Sequence, residues 1–482
     1  MAVEIVLDPS DSGPLYIQIA NRLRGAVAGG QIAPGGRLPS ARALAAQLGV
    51  ARGTVDTAYD LLAGEGAIQA RGSAGTIVSP NVSARVSAPA QRPMLLRAAA
   101  NKADAATMPF RMGLPALDAF PRKLWSGLVA RSARVAGAEE LAYPDPAGHR
   151  SLRQAVAAYL GVSRGIACSP EQVLITAGFQ GALSLVREVL VRQGDPVWVE
   201  DPGFPPTRQA LEAGGAKLVP VRVDRDGMRV SAGIVAAPRA RLAVVTPAHQ
   251  SPLGMALSLP RRLALLDWAA GAGAWVLEDD YDGEFRYAGH PLPALKSLDR
   301  GERVLYAGSF SKVLFPALRL GYLVVPDEVA AAFLRAAKLM GGGLPLLEQQ
   351  VVAQFMEQGH FARHIKRMRS LYASRRLALS EALKQRFGDR VIVELEAGGM
   401  HLLARFPDAA DDGALVRRAR AAGLAPTALS GLASAHDCGQ GLLLGFTNIP
   451  EVDAGAIAER LAAALGEHSH SGQNRSKQPE QL

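Results

Sequence analysis

The chain contains 482 residues, 49% of them hydrophobic, and its 53 lysines and arginines against 44 aspartates and glutamates give a formal net charge of +9. This length exceeds what one hydrophobic core usually holds, so we expect one large and one small domain. The mild positive charge is compatible with a nucleic-acid partner but does not establish one.

The sequence lacks the usual signs of a secreted, metal-binding or membrane protein. Cys168 and Cys438 lie far apart and fit neither a disulfide framework nor a metal-ligand spacing, so we expect two reduced thiols and no metal site. The amino-terminal segment has no signal-peptide pattern, and no run approaches the roughly 18 apolar residues that a membrane span requires. We therefore expect a soluble, cytoplasmic protein.

The first 80 residues predict three short helices and a hairpin, the arrangement of a winged helix-turn-helix. The first helix opens at Pro14, and Ser40 is a good N-cap for the second, which Gly49 ends. Strands are expected at 67–70 and 76–78. The apolar positions that define the first and third helices are Ile19, Leu23, Val27, Val55, Tyr59 and Leu62.

In such a domain the third helix enters the major groove of DNA and the hairpin lies along the backbone. Arg52 and Thr54 fall on the outward face of the third helix. An arginine can bind a guanine edge or a phosphate, or simply be solvated, and the sequence leaves these alternatives open. Residues 1–80 hold six arginines and six acidic residues. Because their net charge is zero, we expect a dimer that reads two half-sites.

The motif from PLYIQI through GGRLPSARALAAQLGVARGTVDTAYDLLAGEGAI resembles the GntR family of DNA-binding domains over residues 13–80. We assign residues 12–80 to this domain. The wing departs from the family pattern, because Gly72-Ser73-Ala74-Gly75-Thr76 stands where the family usually has Gly-Ser-Gly-Thr. The resemblance implies contacts to double-stranded operator DNA by Arg42 and Arg52, with Thr54 and Arg71 in support and Arg37 at a phosphate.

A linker and a tail flank the large domain. Residues 81–108 are rich in Ser, Ala and Pro and lack apolar periodicity, so we expect a flexible linker with a root-mean-square span of about 30 Å. Residues 466–482 are polar, and we expect a disordered tail. The segment between them, 109–465, is the predicted effector domain.

In the large domain, apolar strands alternate with helical stretches, which predicts an α/β fold around a mainly parallel sheet. Ligands of such sheets bind beyond the carboxyl ends of the strands. The strands are expected at 197–199, 242–245, 275–277, 304–306 and 322–325.

Lys312 follows one of these strands. Ser309 and Ser311 come just before it, and Arg319 lies seven residues after it. An accessible lysine amine can condense with the aldehyde of pyridoxal 5'-phosphate (PLP), and hydroxyls and an arginine can hold the phosphate. The alternative is an ordinary surface lysine beside a strand.

The segment Glu278-Asp279-Asp280-Tyr281 ends a second strand. A carboxylate there can pair with the protonated pyridine nitrogen of PLP, and a tyrosine hydroxyl can reach its phenolic oxygen. The alternative is an acidic cluster that caps a helix or forms surface ion pairs.

Three further segments contain candidate cofactor ligands. Gly178, Phe179 and Gln180 begin a predicted helix, whose N–H groups suit a phosphate. Phe204 can stack on the cofactor ring or pack in the core. His249 lies in a polar loop where it can contact the oxygen side of the ring, or merely make a loop hydrogen bond.

The motifs TAGFQGAL, EDPGF, TPAHQSPLG, EDDYDGEFRY and SFSKVLFPALRLGY resemble fold type I, aspartate-aminotransferase-like PLP proteins, and the fused arrangement resembles the MocR subfamily of GntR regulators. The resemblance implies a homodimer with active sites between subunits, in which Tyr143 reaches the neighbour's cofactor phosphate. The roles it implies in the same subunit are Lys312 as the Schiff-base lysine, Asp279 at the pyridine nitrogen, Tyr281 at the phenolic oxygen, and Ser309 and Arg319 at the phosphate.

Three departures from the enzymes concern substrate and phosphate binding. Leu443 stands where they have the arginine that clamps the substrate carboxylate, Ser251 replaces an asparagine, and Phe179 replaces a small hydroxyl residue. We therefore predict a transcriptional regulator that senses PLP, an amine or an amino acid through Lys312. The alternatives are a PLP-dependent aminotransferase with an accessory DNA-binding domain, and a DNA-binding protein whose PLP fold is vestigial.

Overall fold

The computed structural model describes residues 7–8, 11–72, 75–80, 107–289, 293–407 and 411–466. The chain forms two compact units, residues 1–102 and 103–482. Apart from residues 107 and 108, the predicted linker lies outside the described residues, and so does the predicted tail beyond residue 466.

The amino-terminal unit contains the predicted three helices and hairpin. Ser40 caps the second helix by accepting a hydrogen bond from the Ala43 N–H at 3.1 Å, and Gly49 ends it with a left-handed φ of 66°. The predicted apolar positions of the first and third helices are all buried. The elements are α1 (Leu15–Ala28), α2 (Ala41–Leu48), α3 (Arg52–Gly64), β1 (Ile68–Ala70) and β2 (Thr76–Val78).

The large unit alternates helices and strands as the sequence predicts. Its strands are β3 (Val173–Thr176), β4 (Pro196–Asp201), β5 (Lys217–Asp224), β6 (Gly227–Met228), β7 (Leu242–Val245), β8 (Trp275–Asp280), β9 (Val304–Ser309), β10 (Gly321–Val324), β11 (Ile392–Glu394), β12 (His401–Arg405), β13 (Thr427–Ala428) and β14 (Leu442–Gly445). Its helices are α4 (Arg122–Val135), α5 (Ala138–Leu141), α6 (Arg150–Arg164), α7 (Gly178–Leu190), α8 (Pro205–Ala213), α9 (Val230–Ala236), α10 (Leu259–Ala272), α11 (Leu295–Leu298), α12 (Phe310–Val313), α13 (Asp327–Met340), α14 (Leu346–Glu357), α15 (His360–Phe387), α16 (Asp412–Ala421) and α17 (Ala454–Ala464).

An eight-stranded sheet in the order β3-β10-β9-β8-β7-β4-β5-β6 forms the centre of the large unit. The strands from β9 through β8, β7 and β4 to β5 pair in parallel, as predicted. Strand β10 runs antiparallel to both β9 and β3. The short segment 310–320 between β9 and β10 explains this reversal, because a parallel connection needs a longer crossover.

A second sheet, in the order β11-β12-β14-β13, is antiparallel throughout. The 28-residue helix α15 leads into it, and buried residues of α15, β12, β14 and α17 share one hydrophobic core. Across the described residues, no helix combines the length and apolar character that crossing a membrane requires.

Candidate functional site

A cavity of about 320 Å³ lies in the large unit and brings together most of the predicted cofactor ligands. Its wall contains eleven residues singled out from the sequence, namely Gly178, Phe179, Gln180, Phe204, Ser251, Asp279, Tyr281, Ser309, Ser311, Lys312 and Arg319. They come from the ends of β8 and β9, the start of α7 and the loops around them, as expected for a ligand site in a parallel sheet.

The amine of Lys312 is directed into this cavity. Its Nζ donates a hydrogen bond to the Gly113 carbonyl oxygen at 3.1 Å. Burial lowers the pKa of Lys312, against the opposing charges of Asp282 and Asp279. A lowered pKa increases the fraction of neutral, nucleophilic amine. Lys312 is therefore not an ordinary surface lysine.

The three carboxylates at the end of β8 divide between two faces of the strand. Asp279 lines the cavity, whereas Glu278 accepts hydrogen bonds from the Leu295 and Lys296 N–H groups at 2.9 and 2.8 Å, which caps α11. Asp280 pairs with Arg164, with Oδ2 2.7 Å from Nε. Because side chains alternate along a strand, only Asp279 faces the site. The helix-cap alternative thus describes Glu278, whereas the ion pair of Asp280 is buried and not at the surface.

Asp279 lacks the surroundings that stabilise a carboxylate. Burial raises its pKa well above the ordinary value, and the charges of Asp280 and Asp282 raise it further, while Lys312 opposes them. A cation placed against Asp279 would stabilise its ionised form and lower its pKa. The protonated pyridine nitrogen of PLP is such a cation.

The Tyr281 hydroxyl contacts His249, which in turn lies against Asp282. His249 Nδ1 lies 2.9 Å from the Tyr281 hydroxyl oxygen and 3.0 Å from Asp282 Oδ2. His249 is 7% exposed and does not line the cavity. His249 lies behind Tyr281 and makes a hydrogen bond in the loop region, the alternative that the sequence left open, while its expected contact with the ring's oxygen side stays a prediction.

The predicted phosphate ligands meet in one corner of the cavity, formed by α7, β9 and the turn before β10. The Ser309 Oγ accepts a hydrogen bond from the Ser311 N–H at 3.2 Å. Arg319 adopts a left-handed φ of 53°, which is uncommon for a residue other than glycine. The Gln180 Nε2 is buried and has no hydrogen-bond partner among the described residues. A buried donor of this kind at a helix amino terminus fits an anion.

The remaining predicted residues take different positions. The Phe204 side chain lines the cavity and is 46% exposed, which argues against the core-packing alternative. Tyr143 is fully exposed and is not part of this cavity. Leu443 is fully buried, and with Leu403 and Leu429 it forms a small apolar cluster.

PLP fits these residues. A lysine of lowered pKa, a buried carboxyl that lacks stabilisation and an unpartnered buried amide donor correspond to the aldehyde, the pyridine nitrogen and the phosphate of the cofactor. All three line the same cavity.

The wall also contains seven residues that the sequence did not single out: Met112, Gly113, Pro205, Met400, His401, Thr427 and Leu432. Most are apolar: Met112 and Gly113 follow the predicted linker, Pro205 begins α8, and the other four lie in or next to strands of the second sheet. Gly113, in FRMGLPA, carries the one signal that sequence reasoning could have used, since a glycine between apolar residues can mark a close approach of backbone.

In the amino-terminal unit, the residues expected to contact DNA are largely solvent-exposed. Arg37, Arg42, Arg52 and Arg71 are exposed, and Thr54 in the first turn of α3 is half-buried. The Arg52 Nε lies 3.3 Å from Asp56 Oδ2, one turn further along the helix. The wing residues Ser73 and Ala74 lie outside the described residues.

Comparison with known families matches each unit separately. Residues 15–78 match the bacterial regulatory proteins of the gntR family, and residues 119–428 match aminotransferase class I and II. Among solved structures, kynurenine aminotransferase of Pyrococcus horikoshii, in complex with PMP, superposes with a TM-score of 0.69 at 27% identity over 77% of this chain and 94% of its own. LysN, the α-aminoadipate aminotransferase of Thermus thermophilus, complexed with N-(5'-phosphopyridoxyl)-L-leucine, gives 0.68 at 30% identity over 75% and 92%.

One relative is similar to this chain over both units. The probable rhizopine catabolism regulatory protein MocR of Rhizobium meliloti is 38% identical over 458 residues, which cover 92% of each chain. The winged helix-turn-helix and the aminotransferase-like fold therefore belong to one recognised architecture, and the chain is a member of the MocR-type, GntR-family transcriptional regulators.

Proposed function

We propose that this regulator binds PLP on Lys312 and couples the state of that site to operator binding by its winged helix. The observation that carries the proposal is the Lys312 amine, whose pKa is lowered by burial, in one cavity with Asp279 and Gln180. When bound, PLP supplies an aldehyde that forms a reversible covalent bond with an amine. The effector would be PLP itself, an amine or an amino acid.

The residues of the wall have separate tasks in this proposal. Asp279 would pair with the pyridine nitrogen, and Tyr281, held by His249, would hydrogen-bond the phenolic oxygen. Ser309, Ser311, Arg319 and the first turn of α7 would bind the phosphate. Phe204 would lie against the ring.

We further propose that the protein acts on DNA as a cytoplasmic homodimer. Two copies would let the exposed arginines of α2 and α3 read two half-sites, which offsets the weak binding expected of one nearly neutral domain. Tyr143 is fully exposed in the single chain, which supports the proposal that it reaches the site of the neighbouring subunit.

The coupling can be tested by a reciprocal titration. Operator affinity of the full-length protein is measured with and without PLP and candidate amines, and PLP affinity is measured with and without operator. Linkage requires that PLP change the operator affinity by the same factor by which the operator changes the PLP affinity. The proposed switching fails if each affinity is independent of the other ligand. In the Lys312→Ala variant, the effect of PLP on operator affinity should be lost.

A second function, aminotransferase activity, is favoured by the similarity to solved enzymes and by Lys312, Asp279 and Tyr281 in one cavity. Leu443 argues against efficient turnover of amino acids, because an uncharged side chain cannot hold a carboxylate. We therefore propose a regulator with at most a slow half-reaction. Rapid conversion of bound PLP to its amine form by a natural amino acid would favour the enzyme.

A further inference from the structure

Part of the cavity wall is apolar and comes from the second sheet. Met400 precedes β12, Thr427 belongs to β13, and Leu432 follows it. The Leu432 carbonyl oxygen accepts hydrogen bonds from the Gly203 N–H at 3.2 Å and from Arg208 Nη1 at 2.6 Å. These bonds hold Leu432 against the loop that carries Phe204, so this part of the wall is fixed through the Leu432 backbone carbonyl.

Leu443 supports this apolar wall. Across the sheet it pairs with Leu403 of β12 and with Thr427 of β13. Met112 and Leu432, which line the cavity, pack against the cluster formed by Leu403, Leu429 and Leu443. Leu443, which lies behind the wall, therefore contributes hydrophobic packing to it.

The cationic side chains that line the cavity are already assigned to the cofactor and do not face the apolar wall as carboxylate ligands. Among its described lining residues, the lysines and arginines are Lys312 and Arg319, which the proposed function assigns to the aldehyde and the phosphate. His401 also lines the wall, but burial and the neighbouring His249 lower its pKa to about 4, so it is neutral near pH 7. A ligand carboxylate against this wall would lose its hydration without gaining a cation.

Two arginines, Arg208 and Arg111, lie near the cavity but do not line it. Arg208 donates to the Leu432 and Gly203 carbonyl oxygens and is not part of the wall. Arg111 precedes Met112 and is exposed; its charge helps to lower the pKa of Lys312, but its side chain does not line the cavity. A carboxylate bound at Arg111 would therefore remain outside the apolar wall.

From these observations we propose that the effector is a small primary amine whose remainder is uncharged and largely apolar, and that the site discriminates against amino acids. The inference rests on the proposed function, because it assumes PLP on Lys312. The size follows from the cavity, whose volume of about 320 Å³ must hold the cofactor as well and is near the lower end of ligand pockets.

Three ligands that share a four-carbon amine test this proposal in the full-length, PLP-loaded protein. Butylamine has no carboxylate, norvaline adds one beside the amine, and 5-aminopentanoate adds one at the far end. Dissociation constants are taken from changes in the visible spectrum and, independently, from ligand-induced shifts of the melting temperature followed by tryptophan fluorescence. We expect butylamine to bind at least about tenfold more tightly than either acid.

A gain-of-charge variant tests the same wall. Thr427→Arg adds a cation to the wall and should reduce or reverse the preference for butylamine. Leu377→Arg is the control, since it adds the same residue at a position of α15 that is 49% exposed and outside the wall. It should leave the preference unchanged.

The outcomes separate the two proposals. Equal or tighter binding of either acid would overturn the inference, and loss of that binding in Arg111→Ala would identify the carboxylate site. Failure of all three ligands to bind the PLP-loaded protein would also overturn it and favour PLP as the effector. If no PLP band forms before any ligand is added, the proposed function fails and the inference fails with it.

Discussion

Gly113 and Lys312 meet in the cavity although 199 residues separate them in the chain. The Gly113 carbonyl oxygen accepts a hydrogen bond from the Lys312 Nζ at 3.1 Å. A Cβ atom added to Gly113 would lie 2.2 Å from that Nζ, and the backbone φ of +68° also favours glycine. The glycine thus provides the space that the lysine amine occupies.

Gly113→Ala should therefore displace the Lys312 amine and weaken PLP binding by at least about tenfold, measured as the PLP dependence of the visible absorption. Gly165→Ala is a matched control, because Gly165 has the same φ of +68° and ends α6, where the nearest atom to an added Cβ is Ser297 Cβ at 3.7 Å. The Gly165→Ala variant also places an alanine at a positive φ, but it should bind PLP with normal affinity. Equal losses in both variants would contradict a specific role for the contact.

Gln180→Leu should have opposite effects on the cofactor-free and PLP-bound protein. The Gln180 Nε2 is buried without a partner, so removing it should stabilise the cofactor-free protein by about 1 kcal/mol. If this amide binds the phosphate of PLP, the same change should weaken PLP affinity. Urea denaturation without cofactor and a PLP titration measure the two effects. Unchanged PLP affinity would exclude the amide from phosphate binding.

The pair formed by His249 and Asp282 should make stability depend on pH. Burial alone would lower the pKa of His249, but the charge and hydrogen bond of Asp282 outweigh it and raise the pKa above its ordinary 6.5. Because the folded-state pKa is raised, the stabilisation is fully present below pH 6.5 and is lost as the pH rises through the folded-state pKa. The excess stability of wild type over His249→Gln should therefore be larger at about pH 6 than at about pH 9.

His364 offers a control of opposite sign. Burial lowers its pKa, so its contribution is present above pH 6.5 and is lost as the pH falls. Denaturation followed by tryptophan fluorescence suits both variants, because all four tryptophans, Trp125, Trp198, Trp268 and Trp275, belong to the large unit. A common pH trend for His249→Gln and His364→Gln would contradict these assignments.

Arg52→Ala should weaken operator binding by about 1–3 kcal/mol if Arg52 reads a base, and should relax specificity at one base pair. If Arg52 binds a phosphate, the loss should be uniform across sequences. The slope of the logarithm of operator affinity against the logarithm of salt concentration should then decrease by about one. Arg22→Ala removes the same charge from an exposed position of α1 and serves as control. Equal losses in both variants would assign Arg52 only a general electrostatic effect.

The sequence predicts those parts of the site whose chemistry is tied to local pattern. Lys312 and Asp279 follow apolar strands, and the carboxyl ends of parallel strands meet at one edge of the sheet. The amino-terminal helices were predicted for the same kind of reason, since Ser40 and Gly49 are local cap signals.

The parts that the sequence does not predict depend on contacts between distant segments. Gly113, Met400 and Thr427 reach the cavity from outside the central sheet and carry no chemical motif. The position of His249 behind Tyr281 depends on its pairing with the buried Asp282, which periodicity does not reveal. The reversal of β10 follows from the length of one connection, whereas the alternation of strands and helices predicts only a mainly parallel sheet.

The most direct test of the account is borohydride reduction of the PLP-loaded protein, followed by mass spectrometry of its peptides, alongside the Lys312→Ala variant. We predict a visible absorption band that disappears on reduction, a stable cofactor adduct on the peptide that contains Lys312, and neither band nor adduct in the variant. A protein that gains no band when PLP is added, or that carries its adduct on another lysine, would contradict the assignment of Lys312 as the cofactor-binding residue.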